Sequence, residues 1–169
     1  EKSYEYAVKG LKEAEKKKTS SVLSEAYNNL ANVYEYKSQT DSSLMYHKKA
    51  LALRSKSDDF IKLGDSYNNI GIAYDKLGNF PESLDNYFRA LRQYEKENDK
   101  EKQAMVFSNI GIVYKAQKEY DKTLEYYKKA HKIYTDLNSD FGIAVSEGNI
   151  GSVLLLLKRF EESIDYSEK

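Results

Sequence analysis

The sequence predicts an all-α protein, an α-solenoid in which antiparallel helix pairs stack one on the next. Three observations predict this fold class. One short pattern recurs four times at a spacing of 40 residues, starting at positions 27, 67, 107 and 147. Apolar residues within each copy follow the 3.6-residue period of a helix. A break in that period divides each repeat into two helical stretches. A fixed period of this size is typical of a stacked array rather than of a domain with one central core.

The first helix of each repeat is clearest in the second copy. Tyr67, Ile70, Gly71 and Tyr74 lie at i, i+3, i+4 and i+7, which places them on one helix face. The apolar period then stops around residues 77–79, where Gly78 and Asn79 are typical of a turn. The sequence therefore predicts one helix that ends shortly before this turn.

The second helix begins just after the turn. Pro81 falls in its first turn, where a missing N–H costs nothing because that group has no partner inside the helix. The apolar positions that follow are Phe80, Leu84, Tyr87, Ala90, Leu91 and Tyr94. The same stretch recurs in register in the other copies, and Tyr4 and Leu11 fit it one period earlier.

These registers divide the chain into one continuous array. We expect it to open on the second helix of one repeat and to close within the second helix of another, as part of a longer array or with this end covered by a partner. The predicted parts are a partial repeat at 1–19, full repeats at 20–59, 60–99 and 100–139, and a truncated repeat at 140–169.

Small residues recur at two registers and indicate close helix packing. Glycine inside a helix costs about 1 kcal/mol relative to alanine, so several at one register indicate a steric need. We expect two antiparallel helices to approach closely there. The two sets are Ala31, Gly71, Gly111 and Gly151, and Ser43, Ser83, Thr123 and Ser163.

Composition excludes several function classes. Basic and acidic residues both number 27, and this balance argues against a general binder of nucleic acid or of anionic membranes. Cysteine is absent, which excludes disulfides, thiol catalysis and cysteine-based zinc sites. The longest apolar run, residues 153–157, is too short to insert across a bilayer. We expect no cofactor, no metal and no catalytic residues, and the compartment stays open, with the cytoplasm favoured over the periplasm.

The repeat unit resembles the tetratricopeptide repeat. That unit has a large residue, Leu-Gly and Tyr on its first helix, and a small residue, an aromatic residue and Ala on its second. The period of 40 exceeds the usual value of about 34 residues. In this respect the repeat is similar to the long-helix variant of kinesin light chains, Pins-type regulators and bacterial signalling proteins. The matching residues on the first helices are Tyr27, Tyr67 and Phe107, then Leu30-Ala31, Ile70-Gly71, Ile110-Gly111 and Ile150-Gly151, then Tyr34, Tyr74 and Tyr114.

The resemblance implies a right-handed superhelical stack that binds a protein or peptide without catalysis. It further implies the sensing or scaffolding part of a larger signalling or regulatory protein, of a kind found in bacteria. It also implies that one repeated asparagine per unit faces a concave groove. An amide offers both a donor and an acceptor, so a row of amides can hold the backbone of an extended peptide. The predicted groove residues are Asn29, Asn69, Asn109 and Asn149, with Asn28, Asn32, Asn68 and Asp65 beside them.

Three alternatives stay open. Each repeated asparagine can instead bond a neighbouring helix or cap it locally. The apolar run at 153–157 favours self-association through the ends of the array, which makes a homo-oligomer an alternative function. A peptide-gated regulatory or phosphatase role is the third. His47 and His131 have no partner residues at a metal-ligand spacing, so neither predicts a metal site.

Overall fold

The computed structural model describes residues 2–17 and 19–167, so the outer limits of the predicted partial repeats, at residues 1 and 169, lie outside the described residues. The regular structure within this range is nine α-helices and no strands. The helices are α1 Lys2–Lys17, α2 Ser20–Tyr36, α3 Thr40–Arg54, α4 Phe60–Lys76, α5 Phe80–Lys96, α6 Lys100–Ala116, α7 Tyr120–Asp136, α8 Asp140–Leu156 and α9 Phe160–Ser167. The predicted all-α fold class is confirmed.

The chain forms two compact units, Glu1–Glu97 and Asn98–Lys169. Helices α1 to α5 make up the first unit and α6 to α9 the second. Within each unit, every helix packs on the next helix along the chain. Short turns join neighbouring helices, so neighbours run antiparallel, as expected for helix pairs joined by few residues.

A residue in left-handed conformation ends the first helix of each pair. At Gly78, with φ +71°, the backbone N–H donates to the Asp75 carbonyl at 2.8 Å, and the N–H of Asn79 donates to the Tyr74 carbonyl at 2.9 Å. These bonds satisfy carbonyls that the end of a helix leaves without partners. Glycine adopts this conformation without steric cost. Side chains are tolerated at the equivalent positions, which are Ser38, Lys118 and Lys158.

The predicted close approach is a contact between a glycine and a tyrosine ring. A Cβ atom placed on Gly71 would lie 2.8 Å from the ring of Tyr87, and one on Gly111 would overlap the ring of Tyr127. The second small register lies beside the first, because the Ser83 hydroxyl donates to the Gly71 carbonyl at 2.8 Å. The steric need inferred from the mid-helix glycines is thus confirmed.

The first repeat carries a different pair at these two registers. Ala31 and His47 stand where the second repeat has Gly71 and Tyr87, and both are buried. His47 is 1% exposed, and neither of its ring nitrogens has a hydrogen-bond partner among the residues described. Burial lowers the pKa of His47 to about 4, although Glu35 nearby acts in the opposite direction. The imidazole is therefore neutral at pH 7.

We predict that His47 makes the protein less stable as the pH falls from 7 to 5. Its folded pKa of about 4 lies below the reference value of 6.5, so the unfolded chain binds the proton first. The contribution of neutral His47 to stability is fully present above pH 6.5 and is lost as the pH falls towards 4. Between pH 7 and pH 5 the loss is about 2 kcal/mol. Urea denaturation at both pH values, compared with His47→Leu, isolates this contribution. An equal decline in both proteins would contradict it.

We predict that Gly111→Ala destabilises the protein by about 1 kcal/mol and by at most about 2 kcal/mol. Overlap with the buried Tyr127 ring costs about 1–3 kcal/mol, which outweighs a helix-propensity gain of about 1 kcal/mol. Gly148→Ala is the matched control, because Gly148 also lies inside a helix of the second unit but has nothing within 4 Å of its added Cβ. The control should raise the free energy of unfolding by up to about 1 kcal/mol. Two variants with the same sign would refute the steric explanation.

Candidate functional site

The predicted groove residues lie on the first helices of the repeats. In the first unit, the Asn69 amide on α4 donates through Nδ2 to Oδ1 of Asn28 on α2, at 3.2 Å. The structure thus brings two of the predicted residues together, but as partners of each other. This bond agrees with the alternative in which a repeated asparagine bonds a neighbouring helix.

Two ion pairs flank this amide pair. Lys62 Nζ lies 3.0 Å from Glu25 Oε1, and Lys76 Nζ lies 2.5 Å from Glu35 Oε1. Lys62, Asn69 and Lys76 are spaced seven residues apart, so they share one face of α4. A line of polar bonds therefore connects α2 to α4.

The other predicted residues of the first unit have different environments. Asn32 is exposed, and Asn29 is exposed beside a cavity of about 220 Å³ that residues of α1 also line. Asp65 is half-buried and accepts a hydrogen bond from the Tyr94 hydroxyl at 2.8 Å. Asn68 is only 5% exposed, so it is not presented to a ligand as a groove residue should be.

In the second unit, Asn109 on α6 and Asn149 on α8 are both half-buried. Lys115 donates to the Ser152 hydroxyl at 3.2 Å, which connects the same two helices further along. The asparagine side chains themselves lie one turn from apolar residues, since Met105 and Val145 are at i−4 on their respective helices.

An apolar cavity of about 400 Å³ is lined by these two residues and by Phe141. Phe141 is 83% exposed, which is unusual for a side chain of its size. Asp99, Glu101 and Lys102 lie around it, so its rim is charged. The sequence pattern did not predict a site at Met105, Phe141 and Val145. Met105 and Val145 occupy the register of Glu25 and Asp65, and the change from acidic to apolar along that register was the available signal.

Tyr134 forms the floor of the same cavity. A Cβ atom on Gly142 would overlap the Tyr134 ring, so the ring lies against the backbone of α8. Burial raises the pKa of Tyr134, and the negative charge of Glu101 adds to this effect. The phenol is therefore neutral at physiological pH and acts as a packing group.

The described residues include no group of three or more His, Cys, Asp or Glu side chains arranged to hold a metal ion. None of the helices seen is long and apolar enough to cross a membrane.

The tetratricopeptide repeat model matches residues 22–96 and 102–169. The chain belongs to the tetratricopeptide repeat family. This confirms the resemblance drawn from the repeated motif. Tetratricopeptide repeats are generally non-catalytic modules for protein–protein interaction. A comparison with curated proteins finds no match.

Solved structures show the same fold. A Signal Transduction ATPase with Numerous Domains from Pyrococcus horikoshii, which has a tetratricopeptide repeat sensor, is 27% identical with a TM-score of 0.87, over 98% of this chain and 26% of that one. A Rap protein complexed with Competence and Sporulation Factor is 18% identical with a TM-score of 0.81, over 98% of this chain and 45% of that one.

Kinesin light chain tetratricopeptide-like repeats from Podospora anserina are 13% identical with a TM-score of 0.80, over 98% of this chain and 82% of that one. The chain thus spans about a quarter of the first of these three proteins and under half of the second.

Proposed function

We propose that the chain is a non-enzymatic binding module and that the α6–α8 face of its second unit takes an extended peptide segment of another protein. The observation that carries the proposal is the apolar cavity at Met105, Phe141 and Val145, one helical turn from Asn109 and Asn149. This combination offers a place for an apolar side chain and amides for the backbone beside it.

The apolar side chains supply the binding energy in this proposal. Burying a large apolar side chain is worth about 1.5–3 kcal/mol, and Phe141 is left largely in water. A peptide residue inserted between Phe141 and Met105 removes apolar surface from water on both partners. The acidic Asp99 and Glu101 at the rim favour a peptide with a basic residue next to its apolar anchor.

The asparagines fix the direction of the peptide. An amide side chain can accept from a backbone N–H and donate to a backbone carbonyl, so it recognises an extended chain whatever its side chains are. Asn109 and Asn149 occupy the same register on α6 and α8, and in our proposal they hold successive parts of the peptide backbone.

The first unit contributes less to affinity in this proposal. Glu25 and Asp65 stand there at the register of Met105 and Val145, so that unit offers no apolar anchor at this register. Exposed Asn29 remains a contact for a longer peptide. The match to a tetratricopeptide sensor within a longer signalling ATPase supports a sensing or scaffolding role within a larger regulatory protein.

We predict that peptides selected from a random dodecapeptide library lose binding when this face is changed. Phe141→Ser should raise Kd at least tenfold, about 1.4 kcal/mol, and Asn109→Ala with Asn149→Ala should do the same while thermal stability falls little. Isothermal titration calorimetry measures Kd for both variants, and thermal unfolding measures their stability. Matched controls are Phe160→Ser, at another exposed phenylalanine of the second unit, and Asn86→Ala, on the second helix α5. Equal loss in variants and controls, or unchanged binding in the variants, would reject this face.

A second candidate function is self-association, which one exposed apolar patch favours. Four large side chains at the end of α8 and on α9 are between 47% and 57% exposed. A patch of this kind on a soluble surface marks an interaction site. Its members are Leu155, Leu156, Phe160 and Ile164.

If this patch joins two copies, Leu155→Lys with Leu156→Lys should convert a dimer into a monomer, because lysine ammonium groups resist burial in an apolar interface. Light scattering with size-exclusion chromatography gives the molar mass. Val145→Lys adds a charge at an exposed apolar residue of the peptide face and should leave the mass unchanged. A wild-type chain that is monomeric at high micromolar concentration would rule out this candidate.

A further inference from the structure

Arg54 breaks the repeat pattern of the second helices. It ends α3 at the register where α5 has Tyr94 and α7 has Tyr134. Like Tyr94 it is removed from solvent, with only 7% of its surface exposed. The first full repeat therefore holds a permanently charged guanidinium where the second and third full repeats hold an aromatic ring.

The hydrogen bonds of Arg54 are made to neutral groups. Its Nη1 donates to the Ser66 hydroxyl at 2.9 Å and to the Lys62 carbonyl at 3.3 Å. The buried Nε has no partner in the described part of the chain. No carboxylate described lies within ion-pair distance of the guanidinium. Burying a charge is unfavourable unless an opposite charge or enough hydrogen bonds compensate for it.

The acidic residues nearby have other partners. Asp65 accepts from the Tyr94 hydroxyl at 2.8 Å. Glu25 and Asp59 both pair with Lys62, at 3.0 Å and 3.7 Å. Burial lowers the pKa of Arg54, and these three acids act in the opposite direction without contacting it. No described carboxylate contacts the guanidinium, so an anion bound from outside the described chain would compensate its charge directly.

Arg54 lines a cavity of about 190 Å³ that has further donors for an anion. Lys56 and Lys62 line it as well, together with Ser20 and Ser21 in the first turn of α2. The N–H groups of a first turn have no acceptor inside their helix and carry the positive end of the helix dipole. The side chain of the N-cap residue Thr19 makes no capping bond to them.

We propose that this cavity binds a phosphate group, held by the guanidinium of Arg54, the ammonium of Lys56 and the N–H groups of Ser20 and Ser21. Arginine binds phosphate oxygens through two parallel N–H bonds, and a helix N-terminus is a common phosphate site. Among the described residues of the cavity wall, Asp59 is the acidic one, and its pairing with Lys62 reduces its repulsion of the ligand. The phosphate can be a free ion or a phosphomonoester on another molecule.

The test is a titration with inorganic phosphate at pH 7.5 and constant ionic strength, followed by the ¹H–¹⁵N signals of the arginine Nε–H groups. The chain has four arginines, and Arg54→Lys assigns the signal of Arg54. That signal should shift saturably with a midpoint in the millimolar range or lower. The exposed Arg89 and Arg159, each paired with a carboxylate, are internal controls and should not shift. A shift that never saturates, or the same midpoint for acetate, overturns the proposal.

A surface variant keeps the test independent of folding. Lys56→Gln removes an exposed charge from the cavity wall and should weaken phosphate binding about three- to tenfold, on the scale of one charged hydrogen bond. Lys48→Gln removes the same charge at a different place, on α3, where Lys48 bonds Tyr74, and should change the midpoint less than twofold. Equal effects of the two variants would mean that phosphate responds only to net charge, which contradicts a built site.

A second titration distinguishes a free phosphate ion from a phosphomonoester as the ligand. O-phosphoserine that binds at least as tightly as inorganic phosphate indicates a phosphomonoester ligand, whereas binding of inorganic phosphate alone indicates a free ion. Phe141→Ser lies in the other unit and should leave both midpoints unchanged. The outcome therefore does not depend on whether the α6–α8 face binds peptides.

Discussion

The contact of a tyrosine ring with a glycine backbone is the constraint on which the α4–α5 and α6–α7 pairs depend. Tyr87 lies against Gly71, and Tyr127 lies against Gly111. A flat ring against a bare backbone brings two helices closer than ordinary side chains allow. The serine or threonine beside the glycine fits into the remaining space, as the bond from Ser83 to the Gly71 carbonyl shows.

This close pairing has a consequence for the surface. Because each first helix is fixed against its second helix by the buried side, its opposite side is left to face its counterparts in the neighbouring repeats. In the first unit that side carries Glu25 and Lys62, and polar bonds between α2 and α4 occupy it. In the second unit the register of Glu25 carries the apolar residues Met105 and Val145, and a cavity lies between α6 and α8. One scaffold thus presents two chemically different faces.

The sequence predicts the helices well and their mutual bonds poorly. A period of 40 repeated four times identifies buried positions such as Gly71 and Tyr87 by register alone, because packing within a repeat is local. The register of Asn69 predicts which face it lies on. It does not predict the bond to Asn28 or the burial of Asn68, since these depend on how far one first helix is displaced along the next. The sequence shows that Arg54 departs from the repeat pattern, because Tyr94 and Tyr134 occupy the same register. It does not show that the Arg54 side chain is buried.

The pairing of Ala31 with His47 in the first repeat has a consequence for protein design, because the residue at the glycine position has to match the size of the ring that packs on it. A consensus sequence built column by column would combine the residue most common at each register, and it would treat the repeats as interchangeable cassettes. The first repeat combines a methyl group with a smaller ring, whereas the second and third combine a bare backbone with a larger one. A chimera that joins α2 to α5 would bring the Ala31 methyl into the volume of the Tyr87 ring. The residues at these two positions therefore have to be exchanged together, and a repeat of this array can be replaced only as a complete helix pair.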